Sequence, residues 1–300
     1  MPTSTIQNER NTLLLLWILL FWYCVARVLQ LFAGRIPNLL IVVFHVIPPA
    51  LFAAIHGARV YRLRGIFIFL ALCLVIASLF ESMSLRTGFP FGHYRFTDLM
   101  GPKLFELPVL LALAYVGMGY VSWILGLVIL ECQSDRLSGK KVILLPLIAS
   151  FIMTSWDLSM DAVWADIDHA WVWRDGGLYF GVPISNFCGW LLTTYTFYQL
   201  FAQYLKNRPL PIQPETQFWH LPILFYAASA IGNLLVVAPA SLGAVFVDAT
   251  GKSWPILEIL LASRLVSILL MMSLCLIAWV RVDRQSKRFS NEIALGPMIE

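Results

Sequence analysis

The apolar residues of this chain fall in long, nearly unbroken runs, without the alternation of a half-buried strand or the single stripe of a soluble helix. A helix of about 20 apolar residues crosses roughly 30 Å of hydrocarbon. Runs of that kind lie at about 12–33, 36–56, 65–81, 107–131, 141–163, 183–205, 218–239 and 254–280. Pro48, Pro49, Pro222 and Pro239 interrupt or end the second and seventh, although membrane helices tolerate proline where neighbours satisfy the freed backbone. The pattern predicts an all-α, polytopic membrane helical bundle of seven to eight transmembrane helices, making one integral membrane domain over residues 1–300. The first run has only Arg10 before it and no small-residue cleavage pattern, so it is expected to remain as an anchor.

The largest departure from this pattern is "FPFGHYRFTDLMGPKLFELP", residues 89–108. Pro90, Gly92, Gly101, Pro102 and Pro108 cannot continue a helix, and a partly re-entrant loop over 84–106 is predicted. Irregular backbone at membrane depth is stable only where protein or a water-filled cavity surrounds it. Such a loop is expected to cap a cavity.

Composition agrees with a bilayer protein. The chain is 59% hydrophobic and 13% charged, with mean hydropathy +0.77, against about 45–50% and about 25% in soluble domains. With the N-terminus in the cytoplasm and eight spans, the inner segments hold Arg10, Arg59, Arg62, Arg64, Arg136, Lys140, Lys141, Lys206, Arg208, Arg281, Arg284, Lys287 and Arg288. The outer ones hold Arg35, Arg86, Arg95, Lys103, Arg174 and Lys252. This bias predicts a multi-pass cell-membrane protein with both termini cytoplasmic. The net charge of +4 then reflects topology. Basic residues divided among short loops form no stripe for nucleic acid. Cys24, Cys73, Cys132, Cys188 and Cys275 are scattered, without disulfide or metal spacing. His45, His56, His93, His169 and His220 lack the HxxxH or HxxHH spacing of a metal-dependent desaturase, and no metal site is expected.

The acids gather at the opposite face. Glu81, Asp98, Glu106, Asp157, Asp161, Asp166, Asp168, Asp175, Asp248 and Glu258 lie in or beside outer helix ends under this topology, where a single carboxylate is often merely solvated. Asp157 and Asp161 differ, because the apolar run continues through Trp156, Met160, Val163 and Trp164 and residues four apart share a helical face. Two carboxylates there repel each other, and hydrocarbon penalises their charge. The pair is expected either to hold a proton in reserve or to accept hydrogen bonds from a neighbouring loop. Trp156, Trp164, Trp171, Trp173, Tyr179, Phe180, Phe187 and Trp190 crowd the same region. They suit an interfacial belt, and aromatic faces also stabilise cations.

Residues 85–115, "LRTGFPFGHYRFTDLMGPKLFELPVLLALAY", and 156–190, "WDLSMDAVWADIDHAWVWRDGGLYFGVPISNFCGW", together resemble the carotenoid biosynthesis membrane-protein family, which includes carotenoid 1',2'-hydratases and bisanhydrobacterioruberin hydratases. The succession "TGFPFGHY", "GPKL", "DLSMD" and "YFGVPISNFCGW" carries the resemblance. Glu106 and Ala162 depart from it, where the family often has glycine and proline. The resemblance implies a cofactor-independent hydro-lyase adding water to the terminal double bond of an acyclic carotenoid. The partners implied are a lipophilic carotenoid, water, membrane lipid and other carotenoid-pathway enzymes. Such chemistry needs a proton donor, a cradle for a tertiary carbocation and a positioned water. Asp157 or Asp161 is the candidate acid, with the other, or Asp98, positioning water. His93, Tyr94 and Asn186 are candidates for the hydrogen-bond network, Trp156, Trp164 and Trp190 for lining the cation. Tyr179 and Glu106 are further lining candidates.

An isomerase or cyclase also begins by protonating a polyene, and sequence does not separate it from a hydratase. A transporter predicts internal repeats and mid-membrane acids; neither is visible. Arg27 and Arg264 inside apolar runs are its best support, although Arg264 with Glu258 reads more readily as a buried pair or a snorkelling side chain.

Overall fold

The computed structural model describes residues 2–295 apart from 105, 134–135, 207, 209–215 and 237–242. The helices are α1 (Pro2–Leu29), α2 (Asn38–Thr87), α3 (Val109–Ile129), α4 (Lys141–Ala162), α5 (Ile184–Leu205), α6 (Thr216–Leu234), α7 (Ile256–Val266) and α8 (Met272–Leu295). A π-turn at Val163–Ile167 prolongs α4, and another at Ser267–Met271 joins α7 to α8. The helices α2, α3, α5 and α7 each start immediately after a proline: Pro37, Pro108, Pro183 and Pro255. There the ring fixes φ and the missing N–H costs nothing.

Among the described residues, five helical segments are long and apolar enough to cross a membrane: Glu9–Phe32, Asn38–Thr87, Val109–Ile129, Lys141–Ile167 and Ile256–Arg288. This is fewer than the seven to eight predicted, for two reasons. First, the second and third apolar runs lie on one 50-residue helix, α2, which at 1.5 Å per residue would be about 75 Å long if straight. It is not straight, because Arg62 (φ 60°, ψ 169°) breaks the helical path. Second, α5 and α6 carry Thr193, Thr194, Gln199, His220 and Asn233, which dilute their hydropathy. Pro48 and Pro49, expected to interrupt the second run, lie inside α2, and Gly117 of α3 brings its backbone against Pro49 and Ala50 where a side chain would collide. Pro239 lies outside the described residues.

The helix α3 is the central one, with 83% of its most apolar window buried against 33% for α1 and 28% for α2. Phe21, Leu63, Phe67 and Leu276 are exposed on the outer helices. An apolar surface of this kind suits lipid contact.

The helix α2 runs through Thr87 and ends at Gly88 (φ 80°), whose N–H bonds the Ser84 carbonyl at 2.8 Å. The irregular segment therefore starts at 88, not 84. Its strand β1 (Tyr94–Phe96) pairs antiparallel with β4 (Trp171–Trp173), after the π-turn of α4. Tyr94, Phe96, Trp171 and Trp173 are buried while Arg95 is exposed, the alternation a pleated strand imposes. Between them, β2 (Lys103–Leu104) and β3 (Leu107–Pro108) form a small hairpin. A further hairpin, β5 (Val245–Val247) with β6 (Ser253–Pro255), precedes α7. The β1–β4 pairing folds the 88–108 segment over the end of α4.

Candidate active site

Helical periodicity sets Asp157 and Asp161 on one face of α4, where they are only 1% and 2% exposed. Among the described residues no lysine or arginine pairs with either. Their shared donor is Asn186 in the first turn of α5, whose Nδ2 lies 3.0 Å from Asp157 Oδ2 and 3.3 Å from Asp161 Oδ2. An amide nitrogen has two hydrogens, so one side chain bridges both carboxyls.

A third buried carboxyl completes the cluster. Glu81 of α2 accepts hydrogen bonds from the Tyr94 hydroxyl and, at 2.8 Å, from the Tyr115 hydroxyl of α3. Burial pushes the Tyr94 phenol well above its ordinary range, and the nearby Glu81 charge adds to this. The group is therefore fixed as a donor. Tyr115 stacks on Trp190, with ring centroids 4.5 Å apart at 17°, and Trp190 meets Trp156 and Phe91 edge-on.

These groups enclose a cavity of about 30 Å³ lined by Glu81, Asp157, Asp161, Asn186, Tyr94 and the aromatic rings of Phe91, Phe96, Trp171, Trp173 and Trp190. That exceeds the roughly 15 Å³ a water molecule needs. The buried indole N–H groups of Trp171 and Trp173 are donors to Asp161 at looser than ideal geometry. Leu111 and Trp171 also line a neighbouring cavity of about 50 Å³, walled by Trp156, Trp164, Met160 and Met118. That space shares Arg27, His45, Met160 and Trp164 with a larger one of about 360 Å³. The acid cavity thus stands at the end of a row of three.

Of the residues singled out in the sequence, Asp157, Asp161, Tyr94, Asn186 and Trp190 meet at this cavity, and Trp156 and Trp164 line the next. Four others lie elsewhere. His93 is exposed, its Nδ1 2.7 Å from Asp175 Oδ2; Asp98 is exposed in the single turn Asp98–Met100; and Glu106 is exposed at φ 72° in the β2–β3 turn. They face solvent because the inward positions of the segment are taken by Phe91, Tyr94, Phe96, Met100 and Leu107. Tyr179 does not line the cavity, and its hydroxyl donates to the Leu158 carbonyl at 3.3 Å. Sequence reasoning missed Glu81, Tyr115 and the indoles of Trp171 and Trp173 as site residues. A lone acid in the third apolar run and a tyrosine in the fourth were the available signals.

A family model described as "Carotenoid biosynthesis protein" matches residues 38–250, an interval that contains every residue of the acid cavity. No curated protein and no solved structure matches the chain.

Proposed function

Because the chain belongs to the carotenoid biosynthesis protein family, we propose that it is a carotenoid hydratase, adding water to the terminal C=C of an acyclic carotenoid end. The observation that carries this reading is the buried pair Asp157–Asp161, bridged by Asn186 at a water-sized cavity with aromatic walls. In the proposed reaction one carboxyl of the pair gives its proton to the alkene carbon that bears hydrogen, and the π electrons leave a tertiary cation at the neighbouring carbon. A water in the cavity donates its lone pair to that carbon, and the other carboxylate takes the proton the water loses. A proton shift within the pair restores the starting state, so the sum is alkene plus water giving a tertiary alcohol, with no electrons exchanged.

The faces of Trp190, Trp171 and Trp173 suit the cation, and two carboxyls in unlike surroundings suit separate acid and base roles. Glu81, held by two phenols, lines the same cavity. The neighbouring cavities, which share the walls Trp171, Leu111, Met160 and Trp164, are where a polyene would have to pass to reach the acids. We further propose eight crossings, with the Arg62 break of α2 turning at the cytoplasmic face, both termini on that side, and the acids opposite.

Pigment analysis by chromatography and mass spectrometry in a host making an acyclic carotenoid tests the activity. A product heavier by one water with unchanged polyene absorption is expected. Unchanged pigment would contradict the reading, and a product of unaltered mass with shifted absorption would replace it with isomerisation or cyclisation.

A further inference from the structure

The two carboxyls of the acid chamber are not equivalent, and the strand that follows α4 is the reason. The π-turn Val163–Ile167 carries the chain back over Asp161 and into β4. Residues two apart on a strand face the same side of the pleat, so Trp171 and Trp173 are both buried and both line the chamber. Pairing with β1 fixes them there, Tyr94 opposite Trp173 and Phe96 opposite Trp171. The Tyr94 ring packs on Trp173 with centroids 5.0 Å apart, and Trp164 stacks on Trp171 at 6.4 Å and 16°. Each indole is thus held from a second side.

Asp161 receives these two indole N–H groups and Asn186 Nδ2 at 3.3 Å. Asp157 receives Asn186 alone among the described residues, at 3.0 Å. Hydrogen bonds donated to a carboxylate favour its charged form, and two like charges in one site disfavour each other. With no lysine or arginine paired to either acid among the described residues, one charge and one proton are favoured over two charges. An indole nitrogen only donates, so it has no acceptor for the hydrogen of a protonated carboxyl. The charge belongs at Asp161, where the donors converge.

We propose that Asp161 is the standing carboxylate and Asp157 its protonated partner, so that Asp157 protonates the alkene and Asp161 takes the proton lost by the captured water. Trp171 and Trp173 are positioning residues that make the two acids unlike. The catalytic roles rest on the hydratase reading; the place of the proton does not. After one turnover the charge stands on Asp157 and the proton on Asp161. Transfer of that proton back to Asp157 restores the pair with no atom gained or lost, and the donors around Asp161 favour the return.

The test is infrared difference spectroscopy on the full chain in lipid nanodiscs at neutral pH, with aspartate side-chain carboxyls labelled with carbon-13 to separate them from Glu81. Protonated carboxyls and carboxylates absorb in different regions. Asp157→Asn should remove one acid band, whereas Asp161→Asn should remove one carboxylate band and leave that acid band in place. Both replacements keep side-chain size, and each is read alone, so one that fails to fold leaves the other decisive. Trp171→Phe with Trp173→Phe keeps two aromatic rings and removes the donors. It should shift the proton toward Asp161 about tenfold per indole, read as intensity lost from the carboxylate band that Asp161→Asn identifies. An acid band lost from Asp161→Asn instead, from both aspartate variants or from neither overturns the assignment, and a carboxylate band unmoved by the indole variant removes the positioning role. The expected bands in a protein that forms no hydrated carotenoid would uphold the place of the proton and remove the hydratase reading alone.

Discussion

Replacing Asn186 with leucine isolates the bridge between the two acids. The substitution keeps side-chain volume close to constant and removes the one donor that reaches both Asp157 and Asp161, at 3.0 and 3.3 Å. A hydrogen bond to a charged group contributes about 1.5–3 kcal/mol and one to a neutral group about 1 kcal/mol. In the proposed cycle the second carboxyl passes from neutral to charged, so the step that creates it loses the difference between these values, about 1.3 kcal/mol. At 1.36 kcal/mol per factor of ten, hydration should slow about tenfold. The assay is the initial rate of hydrated carotenoid formed by protein in nanodiscs, with the thermal unfolding midpoint measured on the same sample. A rate within about threefold of the parent in a well-folded variant would refute the bridging role, since the two carboxyls would then manage their charges without Asn186.

Tyr115→Phe removes the 2.8 Å hydrogen bond to Glu81 and retains the ring stacked on Trp190. It should lower stability by about 1–3 kcal/mol, through a buried carboxyl left short of a donor, read from the unfolding midpoint. His93→Ala breaks only an exposed contact with Asp175, a kind worth about 0–1 kcal/mol, and hydration should stay within about twofold; a larger loss would bring His93 into the chemistry. Asp248 would be raised by its burial, but hydrogen bonds from Thr250, Trp254 and the backbone of Thr250 and Lys252 outweigh this and hold it below the ordinary carboxylate range. Its stabilisation of the β5–β6 hairpin is therefore full above the unfolded value of about 3.9 and fades as pH falls through the lower folded value. In Asp248→Ala, stability measured between about pH 6 and pH 3 should lose less on acidification than in the parent.

Long apolar runs were readable because hydrocarbon demands them, and the predicted 107–131, 141–163 and 183–205 fall close to α3, α4 and α5. The break of α2 at Arg62 falls in the basic segment holding Arg59, Arg62 and Arg64, between the second and third apolar runs. The prolines misled instead: Pro48 and Pro49 lie within the helix, where the bundle accommodates them, and the positive φ falls on an arginine, a residue type with no local preference for it. Asp157 and Asp161 were legible as a pair because one helix fixes their spacing. Glu81 was not, since its partners Tyr94 and Tyr115 are distant in sequence and a lone acid near a helix end resembles a solvated one. His93, Asp98 and Glu106 attracted notice as polar residues in an unusual segment. Three-residue strands such as β1 and β4 carry too little periodicity to reveal, before folding, that Tyr94 and Phe96 turn inward and those three outward.

Water capture at Asp157 and Asp161 is the central claim, and oxygen labelling tests it most directly. The purified chain in nanodiscs is given an acyclic carotenoid in water enriched in oxygen-18, beside an Asp157→Asn, Asp161→Asn double variant of matched folding. The account predicts a tertiary alcohol carrying the heavy oxygen from the parent chain and none from the double variant. Labelled alcohol formed equally by both would contradict it.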